Sequence, residues 1–126
     1  MTTEDGGGVG VTFLSDYPRS DSYYRLRAFN GRQFEIEPHG TSMDESCISD
    51  VPIEANAQYN FQVIFRGASQ RTNVRARVWK VGETRPAFQL NCNDTSDTRR
   101  RSGRFGIWSL GEGSKSWRSM NARRLR

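Results

Sequence analysis

Four aromatic rings stand among residues that hydrogen-bond hydroxyls and anions: Tyr23, Trp79, Trp108 and Trp117. Such rings take the C–H faces of sugars, while Asn, Gln and Arg side chains bond sugar hydroxyls. Asn60 and Gln62 alternate along one stretch, Arg75, Arg77 and Trp79 along the next, and Tyr23, Arg25 and Arg27 along a third. With Trp108 they form a candidate ligand-binding set for a carbohydrate. An arginine-rich lining favours an acidic polysaccharide over a neutral one, because the guanidinium fork matches carboxylate and sulfate. The competing reading is that Trp79 and Trp108 fill the core.

Other residue types suggest catalysis less well. Glycoside hydrolysis needs two carboxyl groups about 5–9.5 Å apart, one of them a raised-pKa acid. Glu35 and Glu37 share a strand face, but each is expected beside an arginine, which holds a carboxylate ionised. His39 is the single histidine, and Gly40-Thr41-Ser42 is not a nucleophile elbow, so a solvated loop histidine is expected. Asp44, Glu45 and Asp50 do not have the spacing of a calcium loop. No catalytic residue, metal or cofactor is assigned, and the chain is not read as an enzyme. Arg99, Arg100, Arg101 and Arg104, with Arg123, Arg124 and Arg126, are an alternative polyanion site acting through clustered charge. No nucleic-acid recognition motif accompanies them, which disfavours a nucleic-acid partner.

Strands must position these side chains. In Tyr59–Lys80, Tyr59, Phe61, Val63 and Phe65 alternate with polar residues; Val74, Ala76 and Val78 do the same after a turn. This is a hairpin with one apolar and one wet face. Setting Phe65 opposite Val74, Val63 opposite Ala76 and Phe61 opposite Val78 segregates the faces, and burial fixes that register. Tyr23–Phe29 and Gln33–Glu37 flank Asn30-Gly31, a hairpin signal. A three-residue loop pairs Leu26 with Ile36 and Ala28 with Phe34, and brings Arg27 beside Glu35 and Arg25 beside Glu37. Further strands are expected over Val9–Leu14, Ala87–Cys92, Arg104–Leu110 and Ser116–Leu125. Residues 38–58 read as a long crossover without regular structure, and residues 1–7 as a flexible tail before a single β-sandwich domain over 8–126.

That makes about eight short strands, no substantial helix and turn chemistry at every boundary, which predicts an all-β antiparallel sandwich of the jelly-roll kind. The 126 residues can bury one core, and the net charge is +5. Nineteen basic residues include only two lysines, Lys80 and Lys115. No apolar run approaches a membrane span, and the opening MTTEDGGG lacks the pattern of a signal peptide. Cys47 and Cys92 are too far apart for a paired redox or zinc motif; two buried free thiols are the expected state, with a disulfide the alternative.

Three segments, GVGVTFLSDYPRSDSYYRLRAF (residues 8–29), YNFQVIFRGASQRTNVRARVW (59–79) and SGRFGIWSLGEGSKSW (102–117), resemble concanavalin A-like lectin/glucanase domains in their glycine and aromatic positions. The resemblance implies a jelly-roll sandwich, carbohydrate binding and a secreted or cell-surface setting. Relatives of this type carry further N-terminal strands. Their lack here implies an exposed edge that invites pairing with a second copy. Calcium-bearing relatives have an Asp after the closing aromatic, whereas Trp117 is followed by Arg118 and Ser119. The glucanase ExDxxE strand is also missing, since Glu35-x-Glu37 runs into Pro38 and His39.

Overall fold

Side chains alternate between core and solvent along most strands of the computed structural model, which describes residues 1–4, 7–29 and 31–125. The strands are β1 (Thr2–Thr3), β2 (Gly8–Ser15), β3 (Tyr23–Phe29), β4 (Gln33–His39), β5 (Ile48–Pro52), β6 (Tyr59–Gly67), β7 (Thr72–Lys80), β8 (Leu90–Asp94), β9 (Arg104–Leu110) and β10 (Lys115–Ser116). Among the described residues there is no helix. A five-stranded antiparallel sheet, in the order β5-β4-β3-β2-β9, packs on a three-stranded one, β6-β7-β8, and β1 pairs with β10 in a small ribbon. The molecule is an all-β sandwich.

Both expected hairpin registers form. Phe65 pairs with Val74, Val63 with Ala76 and Phe61 with Val78. Leu26 pairs with Ile36, Arg27 with Glu35 and Arg25 with Glu37, which leaves a three-residue loop over 30–32. Asn30 lies outside the described residues, as do Asp5, Gly6 and Arg126. The segregation explains the outcome, since a one-residue slip would turn Leu26 and Ile36 to water. Inward residues of the larger sheet (Val9, Val11, Phe13, Tyr24, Leu26, Phe34 and Ile36) meet Tyr59, Val74, Ala76, Val78 and Leu90 of the smaller one. Each large side chain so buried contributes about 1.5–3 kcal/mol. Phe13 stacks on Phe65 at 5.8 Å between ring centres, and Phe34 meets Tyr59 edge-on at 5.1 Å.

Polar cross-links reinforce this core. The Asp94 carboxylate is fully buried and accepts hydrogen bonds from Tyr24 Oη (2.6 Å), Thr41 Oγ1 (2.6 Å) and the Ser96 amide (2.8 Å). Tyr24 Oη in turn accepts from the Arg100 amide at 3.1 Å. Burial alone would raise the Asp94 pKa, but the bonds from Ser96, Thr41 and Tyr24 outweigh it and hold the carboxyl below its ordinary value. Burial and the facing carboxylate push the Tyr24 hydroxyl up.

Several expectations are corrected. Cys47 and Cys92 are not free thiols: they form a disulfide between the start of the β5 region and β8. Sequence spacing does not report that the segment leading into β5 meets β8. Residues 38–58 contain β5, whose five-residue run ending in Pro52 is too short to show its alternation. The expected tail is packed where it is described: Met1 is 4% exposed, its amine donates to the Tyr59 carbonyl, and Thr2–Thr3 pair with Lys115–Ser116. The strand expected at Ala87–Cys92 starts at Leu90, because the Gln89 side chain, not its backbone, bonds both polar groups of Val78. The last strand is confined to Lys115–Ser116, and the described residues after Trp117 are exposed.

Replacing both cysteines by serine should lower stability by about 4 kcal/mol, from the loop-entropy relation, in chemical denaturation. Asp94→Asn should cost about 2–3 kcal/mol at neutral pH, since it weakens hydrogen bonds to a charged group. Because its folded pKa is depressed, the Asp94 contribution is complete above the unfolded value near about pH 4 and fades as pH falls through the lower folded value. Urea midpoints between pH 7 and 2.5 should therefore fall more steeply for the parent than for Asp94→Asn; parallel slopes would contradict the assignment.

Candidate functional site

The two sheets turn their polar faces to opposite sides of the sandwich, so the residues singled out by sequence divide into two groups. Asn60, Gln62, Arg75, Arg77 and Trp79 share the outward face of the smaller sheet, where Gln62 pairs with Arg77 and Asn60 with Trp79. Tyr23, Arg25, Arg27 and Trp108 share the outward face of the larger one. Neither Trp79 nor Trp108 lies in the core; among the tryptophans it is Trp117 that packs against it, donating from Nε1 to the Gly10 carbonyl at 2.9 Å.

On the smaller sheet the cations are already engaged. Arg77 donates from Nε to Gln62 Oε1 at 2.8 Å and from Nη1 to the Pro86 carbonyl at 2.9 Å. Phe88 lies beneath both guanidinium groups, 4.3 Å from that of Arg75 and 4.4 Å from that of Arg77. Sequence reasoning missed Phe88 because it reads as part of a strand, whereas the segment before β8 folds across the face of β7.

The larger sheet presents a different arrangement. Arg25 lies 5.8 Å from the Tyr23 ring centre and 5.6 Å from that of Trp108; Arg27 lies 5.2 Å from Trp108 and 5.0 Å from Phe29. Each such contact contributes about 0.5–1 kcal/mol at exposed sites. Arg27 also pairs with Glu35 at 3.3 Å, as expected. Arg25 does not follow suit. It sits opposite Glu37 in the ladder, but its guanidinium turns to the rings and makes no hydrogen bond or ion pair among the described residues, with Nε shielded from water. Burial and the adjacent Arg27 charge hold its pKa below the ordinary arginine value. At neutral pH it remains a cation that no carboxylate pairs directly, with Glu37 and Glu35 acting on it only from a distance.

A groove of about 360 Å³ opens next to it. Thr12 and Gly106 are small residues of adjacent strands between the rings of Tyr23 and Trp108, with Tyr17, Asp21 and Arg104 also lining the space. Its position follows from a break in the β2–β9 ladder between Thr12 and Ser15, where Leu14 adopts φ +52°. Such irregularities bend a strand away from its neighbour. One face of Tyr23 is covered by His39 at 4.9 Å, and His39 Nε2 bonds Asp21 at 2.8 Å. His39 is thus a strand residue bracing the groove wall, not a loop histidine.

Gly8 and Gly10 make room on this face. A side chain at Gly8 would meet Phe29 at 2.8 Å and Trp108 at 3.0 Å; one at Gly10 would meet the Leu26 carbonyl at 2.4 Å. The Gly-x-Gly spacing in a strand was the available sign of a close approach, although it does not reveal what approaches.

Two members of the polyanion alternative make contacts within the fold. Arg100 donates to the Leu14 and Ser102 carbonyls and lies 3.6 Å from Asp16; Arg99 donates to the Ser96 and Ser69 carbonyls. Both pin the loop before β9, leaving Arg101 and Arg104 exposed.

Gly10→Ala should lower stability by about 1–3 kcal/mol, as overpacking does, and shift tryptophan emission by displacing the β2–β3 ladder below Trp108. Unchanged denaturation and emission would show that the crowding is relieved without cost. The chain matches no protein-family model, no curated protein and no solved structure; the chemistry of this face follows from its own geometry.

Proposed function

We propose that the protein is a non-catalytic carbohydrate-binding module that takes an acidic glycan on the outward face of its five-stranded sheet. The observation that carries this reading is Arg25, a guanidinium flanked by Tyr23 and Trp108 with no acidic partner. A sugar ring lies against Trp108 or the free side of Tyr23, and its carboxylate or sulfate accepts from Arg25. Thr12 and Asp21 are within the same groove to bond hydroxyls, and Arg104 adds a second cation at the rim. Preformed cations and rings lower the ordering cost of binding.

The sandwich and the resemblance to concanavalin A-like domains support a lectin-like module of jelly-roll ancestry. The disulfide supports an oxidising, extracellular setting. Glu35, on this face, is held by Arg27, which favours a structural role over acid catalysis. On the smaller sheet, Arg77 is satisfied by Gln62 and Pro86, so that face is the weaker candidate.

A glycan array at moderate salt, followed by calorimetry on the best acidic ligand, tests the proposal. Trp108→Ala and Arg25→Gln should each weaken binding by at least about tenfold, or ~1.4 kcal/mol. Trp79→Ala, on the opposite face, should bind as the parent does. No binding to any acidic glycan by folded protein, or equal losses from Trp79→Ala and Trp108→Ala, would overturn it.

A further inference from the structure

The five-stranded sheet is wider than the sheet that covers it. The Phe13–Phe65 stack places β6 over β2, and nothing in the smaller sheet lies beyond β6 to cover β9. Ile107 pairs with the buried Val11 and so lies on the core-facing side, as does Phe105 by alternation, yet both are 58% exposed. Phe61, Val63 and Phe65 on the inner side of β6 are only half-buried. The sandwich therefore has an apolar margin between β6 and β9, whose Phe105 and Ile107 also border the groove beside Trp108.

The edge of β6 is shaped to accept a neighbour. It pairs with β7 through nine consecutive residues without a register break, and holds no proline and no lysine. Other edges are guarded: β5 carries Asp50, Pro52 and a register break, β8 is short, and β9 is interrupted opposite Ser15. Proteins blunt exposed edges with such devices because bare ones template strand addition. Tyr59 exchanges backbone hydrogen bonds with Met1 on the side away from β7. By alternation, Phe61, Val63 and Phe65 point their backbone groups the same way, and these have no backbone partner among the described residues.

We propose that this edge takes a fourth strand from a partner protein: an extended segment whose apolar side chains cover Phe105 and Ile107, and whose acidic residues lie at the Gly67 end of β6. Charge complementarity sets the chemistry of that end. Arg66 and Arg101 are exposed there, neither in an ion pair among the described residues, and Arg101 packs directly against Gly67. A second copy fits poorly. An antiparallel β6–β6 pairing with Phe61 opposite the other copy's Phe65 would drive its Gly67 into the place that Met1 occupies beside Tyr59. It would also join two chains of net charge +5. Backbone pairing supplies affinity in this mode, and alternate side chains supply selectivity.

The probe is a short peptide of alternating valine and threonine ending in a run of glutamates, titrated against the intact protein with amide hydrogen exchange as readout. Binding should protect the Phe61, Val63 and Phe65 amides. Val63→Pro, which removes an outward N–H without touching the β7 ladder, should weaken it at least about tenfold. Ile107→Lys, at an exposed position, should do the same and serves if Val63→Pro does not fold. A lysine-ended peptide should bind about tenfold more weakly. The inference is overturned if those amides gain no protection, or if the glutamate and lysine peptides bind alike. It is also overturned if the same amides become protected without peptide as protein concentration rises, or if Trp108→Ala abolishes peptide binding, which would move the peptide to the groove.

Discussion

The rest of the molecule depends on a buried carboxylate. Asp94 ends β8 in one sheet and receives the phenol of Tyr24 from the other, the hydroxyl of Thr41 from the loop after β4, and the amide of Ser96. Burying a charge is costly unless it is hydrogen-bonded, and here three donors bond the carboxylate. The Arg100 amide closes the circuit onto Tyr24, and Thr72 Oγ1 bonds the Arg100 carbonyl at 2.6 Å. The loop before β9 is thereby fixed in place, and β9 carries Trp108 to the opposite face of the larger sheet. Core electrostatics and the geometry of the candidate groove are therefore linked through one chain segment.

Arginine serves three distinct ends in this fold. Arg99 and Arg100 satisfy backbone carbonyls in an irregular loop. Arg77 completes the surface of the smaller sheet with Gln62, Pro86 and Phe88. Arg25 has only rings for company. Composition cannot distinguish these uses, since each is an arginine in a polar context. The distinction arises from how many acceptors the fold brings within reach of each guanidinium, and at Arg25 it brings none within hydrogen-bond distance among the described residues.

This explains what was legible in the sequence. The strands of the two hairpins and their register were, because Leu26 and Ile36, or Val63 and Ala76, can be buried together in only one alignment. The wet faces of both hairpins were legible for the same reason. That they look in opposite directions was not, because sheet membership depends on the connection over 38–58, where β5 is too short to show its period. Asp94 lies in a run of turn-forming residues, Asn93-Asp94-Thr95-Ser96, and nothing local marks it as buried. The Cys47–Cys92 bond likewise joins residues that only the completed sandwich brings together. Phe88, Gly8 and Gly10 matter through neighbours remote in sequence.

The covalent and charged ties between the sheets are not evenly spread. Cys47–Cys92 and Tyr24–Asp94 both engage β8, whereas β6 meets β2 through an aromatic stack. The two layers are thus bound like a book along its spine, with the fore-edge held by apolar contact except at Tyr59, whose hydroxyl donates to the Pro52 carbonyl. Small parting motions beyond that tie, toward Phe65, would cost little more than the apolar contact they uncover, while the stapled margin kept the layers in register. A protein so bound can change the width of its gap without losing its place.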